Sequence, residues 1–474
     1  MVCIEDTTNK KKLLIRSSDN GFSIWDATIA RYISSTRSTT QTKNQTMRNY
    51  YVLFLLFFLL NTKISFGQSG FQLINAINKQ ALEIPSFTDD DSSELAALGD
   101  ILKDKKVIGL GEATHGTREF FVYKAKLIRY LIKNHNLKLV LFESNMSGLD
   151  GLNNYIQNKT TGDLNTVIKQ SWLFSIYRTQ EVADLIEWIR IYNQNKPEYE
   201  KVRFGGIDMH YTYYIINDIL KKTGLSKLLT QQQKDALINL NKLWQKGEPK
   251  LNSKQKSNYL ALTSELYKLI KKQNIGDSSS IYKQDIRLLE QSIMFNNRPD
   301  IPANKIRDKF MAENIIWAAA RTAPNQKVAV WAHNGHISHG LYRNYKAMGV
   351  YLKQKYKTKY YALGLLVGVG YARLWNSRNP TKDYQFYKSP LPTIKNTDAI
   401  EYTLKQAKYA NFFLDLSSPA LEEPIKDFMS LPHMVRVAGA QVVPSEQDVN
   451  LKINVQKSFD GILFFRNTTE AIGI

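Results

Sequence analysis

The sequence predicts an α/β protein: a three-layer α/β/α arrangement with a mostly parallel central sheet and a large helical insertion. Three observations carry that reading. From about residue 106 onward, short apolar runs of strand length alternate with stretches of helical spacing. Four of those runs end on clusters of histidines and acids. Between about 213 and 323 the pattern turns wholly helical before strands resume. Strands alternating with helices imply βαβ units and parallel pairing. In an open parallel sheet, ligands bind outside the carboxyl ends of the strands.

The elements follow in order. A strand at 106–110 precedes a helix over about 119–134. A strand at 138–142 is followed by helices near 149–158 and 179–194, and the next strand is 202–207. The segment 229–300 is rich in Lys, Gln and Asn, with Leu237, Leu240 and Leu243, then Tyr259, Leu262, Leu266 and Leu269, at helical spacing. These helices are expected to pack on one another and cap the sheet, either as a structural bundle or as one wall of a cleft. Strands resume at 327–332, 359–366, 411–416 and 461–465. There is no internal repeat and no long low-complexity linker.

The front of the chain reads differently. Residues 50–60 are an apolar run preceded by Met47 and Arg48 and followed by the small residues Ser65 and Gly67. A basic start, a short apolar core and a small-residue exit describe a secretory signal peptide at 47–67. The run is short of the roughly 20 apolar residues a membrane span needs, so no stable span is expected after cleavage; an uncleaved anchor is the alternative. Residues 1–46 show no sustained apolar period, which makes Met47 the expected start and 1–46 an extension. The working domain is then 70–474, exported to a bacterial periplasm or secreted. The single cysteine, Cys3, lies in the extension. The mature chain therefore has no disulfide, no Cys-based zinc site and no thiol nucleophile.

Nine of the 64 Lys+Arg and four of the 43 Asp+Glu precede residue 68, so the net charge falls from +21 to +16 without them. The lysines are scattered through amphipathic helices, a pattern of solvated surface, and no nucleic-acid-binding signature accompanies them. Nucleic acid is not an expected partner; attraction to anionic envelope polymers is compatible with this charge.

Function reads from the four strand ends. Val107–Leu110 runs into Gly-Glu112-Ala-Thr-His115-Gly, Leu139–Phe142 into Glu143-Ser-Asn, Phe204–Ile207 into Asp208-Met-His210, and Val328–Trp331 into Ala-His333-Asn-Gly-His336. Five of the seven histidines, His339 included, lie just after such a run. The glycines at 109, 111 and 116 allow a tight turn and close backbone approach. A helix beginning near Thr117, with Glu119 in its first turn, can favour negative charge in the cleft. His115 is a candidate general base near neutral pH, its ring oriented by Glu112 or by Glu143. His333 and His336 can hydrogen-bond a carbonyl oxygen and stabilise an oxyanion. With Glu112, Glu143 or Asp208 they can instead hold a divalent metal. Asp208 and His210 are candidate substrate contacts or supports. Arg118, Lys124, Arg307 and Asp308 form a second tier, with Lys124 set to reach an anionic intermediate and Arg307 to line the cleft or make a buried ion pair. His339 is expected to be exposed. There is no Gly-x-Ser-x-Gly elbow, no His-Glu-x-x-His and no Walker loop, and Gly368-Val-Gly370 lacks the dinucleotide fingerprint. Hydrolysis by a His-activated water is what the remaining groups suit best.

Five phrases resemble the erythromycin esterase family in the family's order: Gly111-Glu-Ala-Thr-His-Gly-Thr-Arg-Glu-Phe120, Glu143-Ser-Asn, Gly206-Ile-Asp-Met-His210, Arg307-Asp-Lys-Phe-Met-Ala-Glu-Asn314 and Trp331-Ala-His-Asn-Gly-His-Ile337. Phe459-Asp-Gly-Ile-Leu-Phe464 is similar to its C-terminal strand, so the resemblance spans about 71–470. It implies an α/β fold with a helical insertion and, in resistance members, hydrolysis of the macrolactone ester of erythromycin-type antibiotics. It also implies water activation by His115 assisted by Glu143, roles for His333 and His336, and a basic residue at Lys124. There the family often has Arg, so charge is kept but the bidentate fork is lost. Metal dependence is not a secure trait of the family; no cofactor is the preferred reading, with a divalent metal as the alternative. The alternative is a metal- or glycan-binding envelope protein, or a metallohydrolase, with a non-macrolide substrate.

Overall fold

A computed structural model describes residues 2–6, 11–15 and 70–474, less 86, 88–92, 212, 222–223, 246–250, 274–277, 296–300, 343, 376–384, 443–444 and 446–449. The signal-like segment 47–67 lies outside the described residues. The chain divides into two compact units, Met1–Gln68 and Ser69–Ile474. In the first, β1 (Val2–Asp6) and β2 (Lys11–Ile15) form an antiparallel pair.

The second unit is built on a nine-stranded sheet. Its strands are β3 (Leu82–Glu83), β4 (Val107–Leu110), β5 (Leu137–Asn145), β6 (Arg203–Asp208), β7 (Lys327–Trp331), β10 (Tyr360–Trp375), β11 (Phe386–Pro390), β12 (Asn411–Asp415) and β15 (Gly461–Thr468). Two small antiparallel pairs lie outside it: β8 (Leu341–Tyr342) with β9 (Tyr345–Lys346), and β13 (Pro432–Arg436) with β14 (Asn450–Asn454). The order across the sheet is β3-β12-β15-β10-β4-β7-β5-β6. The six strands from β15 to β6 run parallel, while β12 and β3 add an antiparallel edge.

Alternation along the central strands sends side chains to two cores. Val107, Leu139, Leu141, Val328 and Val330 belong to one; Ile108, Leu110, Val140, Phe142, Ala329 and Trp331 belong to the other. The first is covered by the insertion, whose helices Tyr213–Lys221, Gln231–Gln245, Ser253–Gln273, Ser278–Phe295 and Ile301–Ala320 bury Leu237, Leu240, Leu262 and Leu266. The second is covered by helices Ser93–Leu102, Arg118–Asn134 and Gln180–Asn193. Burial on both faces is why the strands read as continuous apolar runs. Among the described residues, no helix is long and apolar enough to cross a membrane.

Several elements differ from expectation. β10 runs far past residue 366, and its second half leaves the parallel sheet to pair antiparallel with β11. The Gly368 and Gly370 positions mark where it passes β15: a Cβ would lie 2.6 Å from Arg466 O at the first and 2.1 Å from Thr468 O at the second. Gly370 also has φ +135°, a conformation side chains rarely adopt. After β15 the chain turns back across the second core. Arg118 N donates to Thr469 O, Glu119 accepts from Thr469 N and its hydroxyl, Ile472 N donates to Glu181, and Ile474 N to Arg178 O. The start of the helix at Arg118 is thus covered by this segment, and Glu119 is spent on it. The expected anion-favouring helix terminus in the cleft is not available.

Candidate active site

The carboxyl ends of β4, β5, β6 and β7 bring the four motifs together. At β4, Gly111 is glycine because a Cβ would stand 2.0 Å from Asn334 Oδ1. That amide clamps β10 through Leu365 N and O, at 3.1 and 2.8 Å. Gly116 lets the backbone close on Arg373, whose carbonyl would lie 2.0 Å from a Cβ. Neither glycine has positive φ, so close approach rather than an unusual turn selects them.

His115 sits on this loop with its side chain 10% exposed and its Nδ1 2.6 Å from Glu112 Oε1. Glu112 is fully buried. Its Oε2 accepts from the Lys124 ammonium and from Trp331 Nε1 at 2.9 Å, and Tyr177 OH lies 3.4 Å from Oε1. Burial alone would raise the Glu112 pKa, but Lys124 and His115 together outweigh it and pull the pKa down. An ionised Glu112 accepts from Nδ1–H and fixes that tautomer. Nε2 then keeps its lone pair, with no hydrogen-bond partner among the described residues. Of the two acids expected to orient the ring, Glu112 does so.

Glu143 lies at a bulge in the β5–β6 pairing, between Phe142 and Asn145, a feature that re-aims side chains. Its Oε2 accepts from His333 N at 2.9 Å, and its Oε1 is 2.9 Å from Arg307 Nη2 and 3.1 Å from His336 Nε2. Burial pushes its pKa up, yet His336 and Arg307 hold it well below the usual carboxylate range. Arg307 also reaches Asp208 Oδ2 through Nε (2.8 Å) and Nη2 (2.5 Å). Asp208 Oδ1 is 2.6 Å from His210 Nδ1. His336 Nδ1 is 2.8 Å from buried Asp308, whose Oδ1 also accepts from Met348 N. Burial opposes the charge on His336, but Asp308 and Glu143 raise its pKa to about 10. It is an imidazolium at neutral pH, and its 3.0 Å contact with Arg307 Nη1 is two cations drawn to one carboxylate.

His333 is committed on both nitrogens. Nδ1 accepts from Gly335 N at 3.0 Å, and Nε2 is 3.3 Å from Ala113 O, so Nε2 carries the proton. Its ring centroid lies 5.1 Å from that of His115. In this arrangement it has no N–H left for an oxyanion. Lys124 is fully buried under Glu112 and over the Trp331 ring at 4.4 Å, so it anchors the acid rather than facing the cleft. Arg118 is not brought to the site; its side chain is half exposed and lies 3.4 Å from Glu181. His339, expected to be exposed, is part-buried with Nε2 3.3 Å from Asp460. The metal set of His333, His336 and Glu112 does not converge, because each member is held by the partners just described. Among the described residues no group of three His, Cys, Asp or Glu side chains is placed to hold a metal ion.

Tyr177 and Trp331 were missed as site residues. Trp331 borders the His333 motif, a usable signal, whereas Tyr177 lies in an aromatic loop whose spacing carries none.

Burial, reinforced by His115 and His336, holds the His333 pKa down to about 3, against about 6.5 in an unfolded chain. Between those values the unfolded state binds more protons. The stability this group contributes is therefore intact above about pH 6.5 and is lost as pH falls toward 3, by up to about 1.4 kcal/mol per unit. The urea midpoint is expected to drop on acidification from about pH 6.5 to 4, and His333→Asn to flatten that drop. Parallel slopes in the two proteins would exclude His333 as the cause.

A histidine held by a buried carboxylate at the strand ends of an α/β sheet, with its second ring nitrogen unbonded among the described residues, is the equipment of acid–base chemistry. A family model described as Erythromycin esterase matches residues 132–468, and the chain belongs to that family, which places it among the hydrolases. The matched span begins after the Glu112–His115 loop. Erythromycin esterase type II of Escherichia coli is 25% identical over 413 residues, covering 79% of this chain and 92% of that protein. Among solved structures, a succinoglycan biosynthesis protein superposes with TM-score 0.72 at 22% identity, covering 85% of this chain and 98% of its own. The erythromycin esterase mutant EreC in its open conformation gives TM-score 0.61 at 18% identity, covering 80% and 95%. These likenesses establish the α/β fold.

Proposed function

We propose that the chain hydrolyses carboxylic esters with a water activated by His115, and that an erythromycin-type macrolactone is a substrate. The observation that carries the mechanism is the Glu112–His115 pair, with Nδ1 bound at 2.6 Å and Nε2 free. Nε2 takes a proton from water as the water oxygen bonds to the ester carbonyl carbon. Glu112 stabilises the imidazolium so formed, and Lys124 and Trp331 keep Glu112 in place. As the carbon–oxygen bond breaks, the imidazolium returns its proton to the leaving alkoxide, giving acid and alcohol. The cationic N–H groups of His336 and Arg307, which share Glu143, are assigned to the developing oxyanion. The macrolactone assignment rests on family membership and on the 25% identical Escherichia coli esterase. No metal enters this scheme.

The test is to incubate the purified chain with erythromycin, with and without a chelator, and follow the mass. The expected product has gained one water in both lanes, and Glu112→Gln is expected to slow its formation by at least about tenfold. An unchanged mass moves the substrate to another ester; loss of activity with chelator revives the metallohydrolase reading. We also propose export directed by 47–67. Sequencing the N-terminus of the protein recovered outside the cytoplasm should find it past residue 67, and a retained segment would make it an anchor.

A further inference from the structure

Three successive residues in β5 act in different directions. Glu143 enters the charge network. The Ser144 hydroxyl donates to Trp172 O at 3.0 Å and accepts from Phe174 N at 2.9 Å. The Asn145 amide accepts from Tyr211 N and donates to Tyr211 O, both at 3.1 Å. The residues clipped in this way are aromatic. Trp172 packs on Gly148, whose positive φ and missing Cβ leave room for the indole, with Trp172 Cδ1 2.9 Å from where a Cβ would be. Its ring lies 5.1 Å from Tyr211 and 5.3 Å from Tyr214. His210, bound to Asp208, lies 5.9 Å from Phe174 and 4.7 Å from Phe295.

All six rings are half-buried rather than buried, although together they would make an ample core. Tyr211 and Phe295 pack against the edge of the first core and Phe174 against the second, while among the described residues Trp172 and Tyr214 join neither. A contiguous, partly open apolar patch beside a reactive cluster marks a ligand subsite. The rings meet at 57–84°, so they form facets rather than a slot for a flat ligand. Such facets suit the C–H faces of a puckered ring.

We propose that Trp172, Tyr211 and Tyr214, with Phe174, His210 and Phe295, form the subsite for a saturated, oxygen-bearing ring of the ester substrate. The loop carrying Trp172 and Phe174 supplies one part of it, and the segment after β6 together with the insertion supplies the other. This rests on the ester-hydrolase reading of the neighbouring cluster, and the test separates the two. The probes are erythromycin and its sugar-free aglycone, titrated against the tryptophan fluorescence of full-length His115→Ala protein, in which binding is read without turnover. Saturable quenching is expected, with Trp172→Ala and Tyr214→Ala each weakening binding about tenfold and Trp172→Tyr restoring most of the loss. In the active protein the same substitutions should act on KM more than on kcat. If the aglycone binds as well as erythromycin, the lactone itself is the ring recognised; if it binds far less well, an appended sugar is. Folded Trp172→Ala and Tyr214→Ala variants with unaltered affinity would overturn the subsite, as would failure of both probes to bind. Unimpaired ester hydrolysis in those variants would leave the hydrolase reading standing, whereas binding without any turnover by the unmutated chain would leave only the subsite.

Discussion

His115→Ala is expected to lower the rate of ester hydrolysis by at least about two orders of magnitude, the usual cost of losing a positioned general base. The expectation follows from how the ring is held. Glu112 takes Nδ1, His333 stands beside the ring at 5.1 Å with both nitrogens engaged, and Nε2 alone remains uncommitted. No neighbouring base can substitute without breaking an existing bond. His336 is already protonated, and Glu143 is held by two cations and a backbone N–H. The loss should fall on kcat, and added imidazole should restore part of it, because removing the ring leaves Glu112 in place. A folded His115→Ala protein retaining the wild-type rate would eliminate the mechanism.

Arg307→Ala should be the most destabilising substitution in the site, by about 3–5 kcal/mol. Arg307 joins two buried carboxylates, Asp208 and Glu143, that arrive on different strands. Without it, Asp208 keeps only His210 and a backbone N–H, and Glu143 keeps His336 and the His333 N–H. Two buried carboxylates are then left with one cation fewer between them, in a setting where burial strengthens their repulsion. Arg307→Lys keeps the charge but loses the fork that serves both acids, so it should recover only part of the stability. Measured by urea denaturation, a loss below about 1 kcal/mol for Arg307→Ala would show that solvent reaches this cluster.

Much of the fold was legible because the central strands are buried on both faces. Val107–Leu110, Leu139–Phe142 and Val328–Trp331 carry uninterrupted apolar character that few other structures produce. The insertion was legible from Leu and Tyr at helical spacing. β3, β11, β13 and β14 were not, because edge and satellite strands alternate weakly and carry charge, as in Phe-Tyr-Lys-Ser-Pro at 386–390. For the site, strand-end position identified which residues converge but not their partners. Whether Glu112 or Glu143 held His115 depended on the β5 bulge, a register event without a sequence mark. Lys124 was misjudged for a similar reason. Its helical position was clear, but whether its ammonium faced the cleft or Glu112 was set by the packing of Trp331. Arg118 shared the same helix and was drawn instead to Glu181.

The segment after β15 fastens the starts of two helices and the loop that carries Tyr177, while β15 itself lies in the interior of the sheet beside β10. The residues that hold His115 are made early and those that close around it are made late. Such long-range pairing favours slow folding. A ribosome will have finished the His115 loop some 350 residues before residues 469–474 can secure it. Removing residues 469–474 is therefore expected to lower ester hydrolysis by loosening the Gly116 backbone beside a site that contains none of them, which a rate measurement on the truncated protein checks.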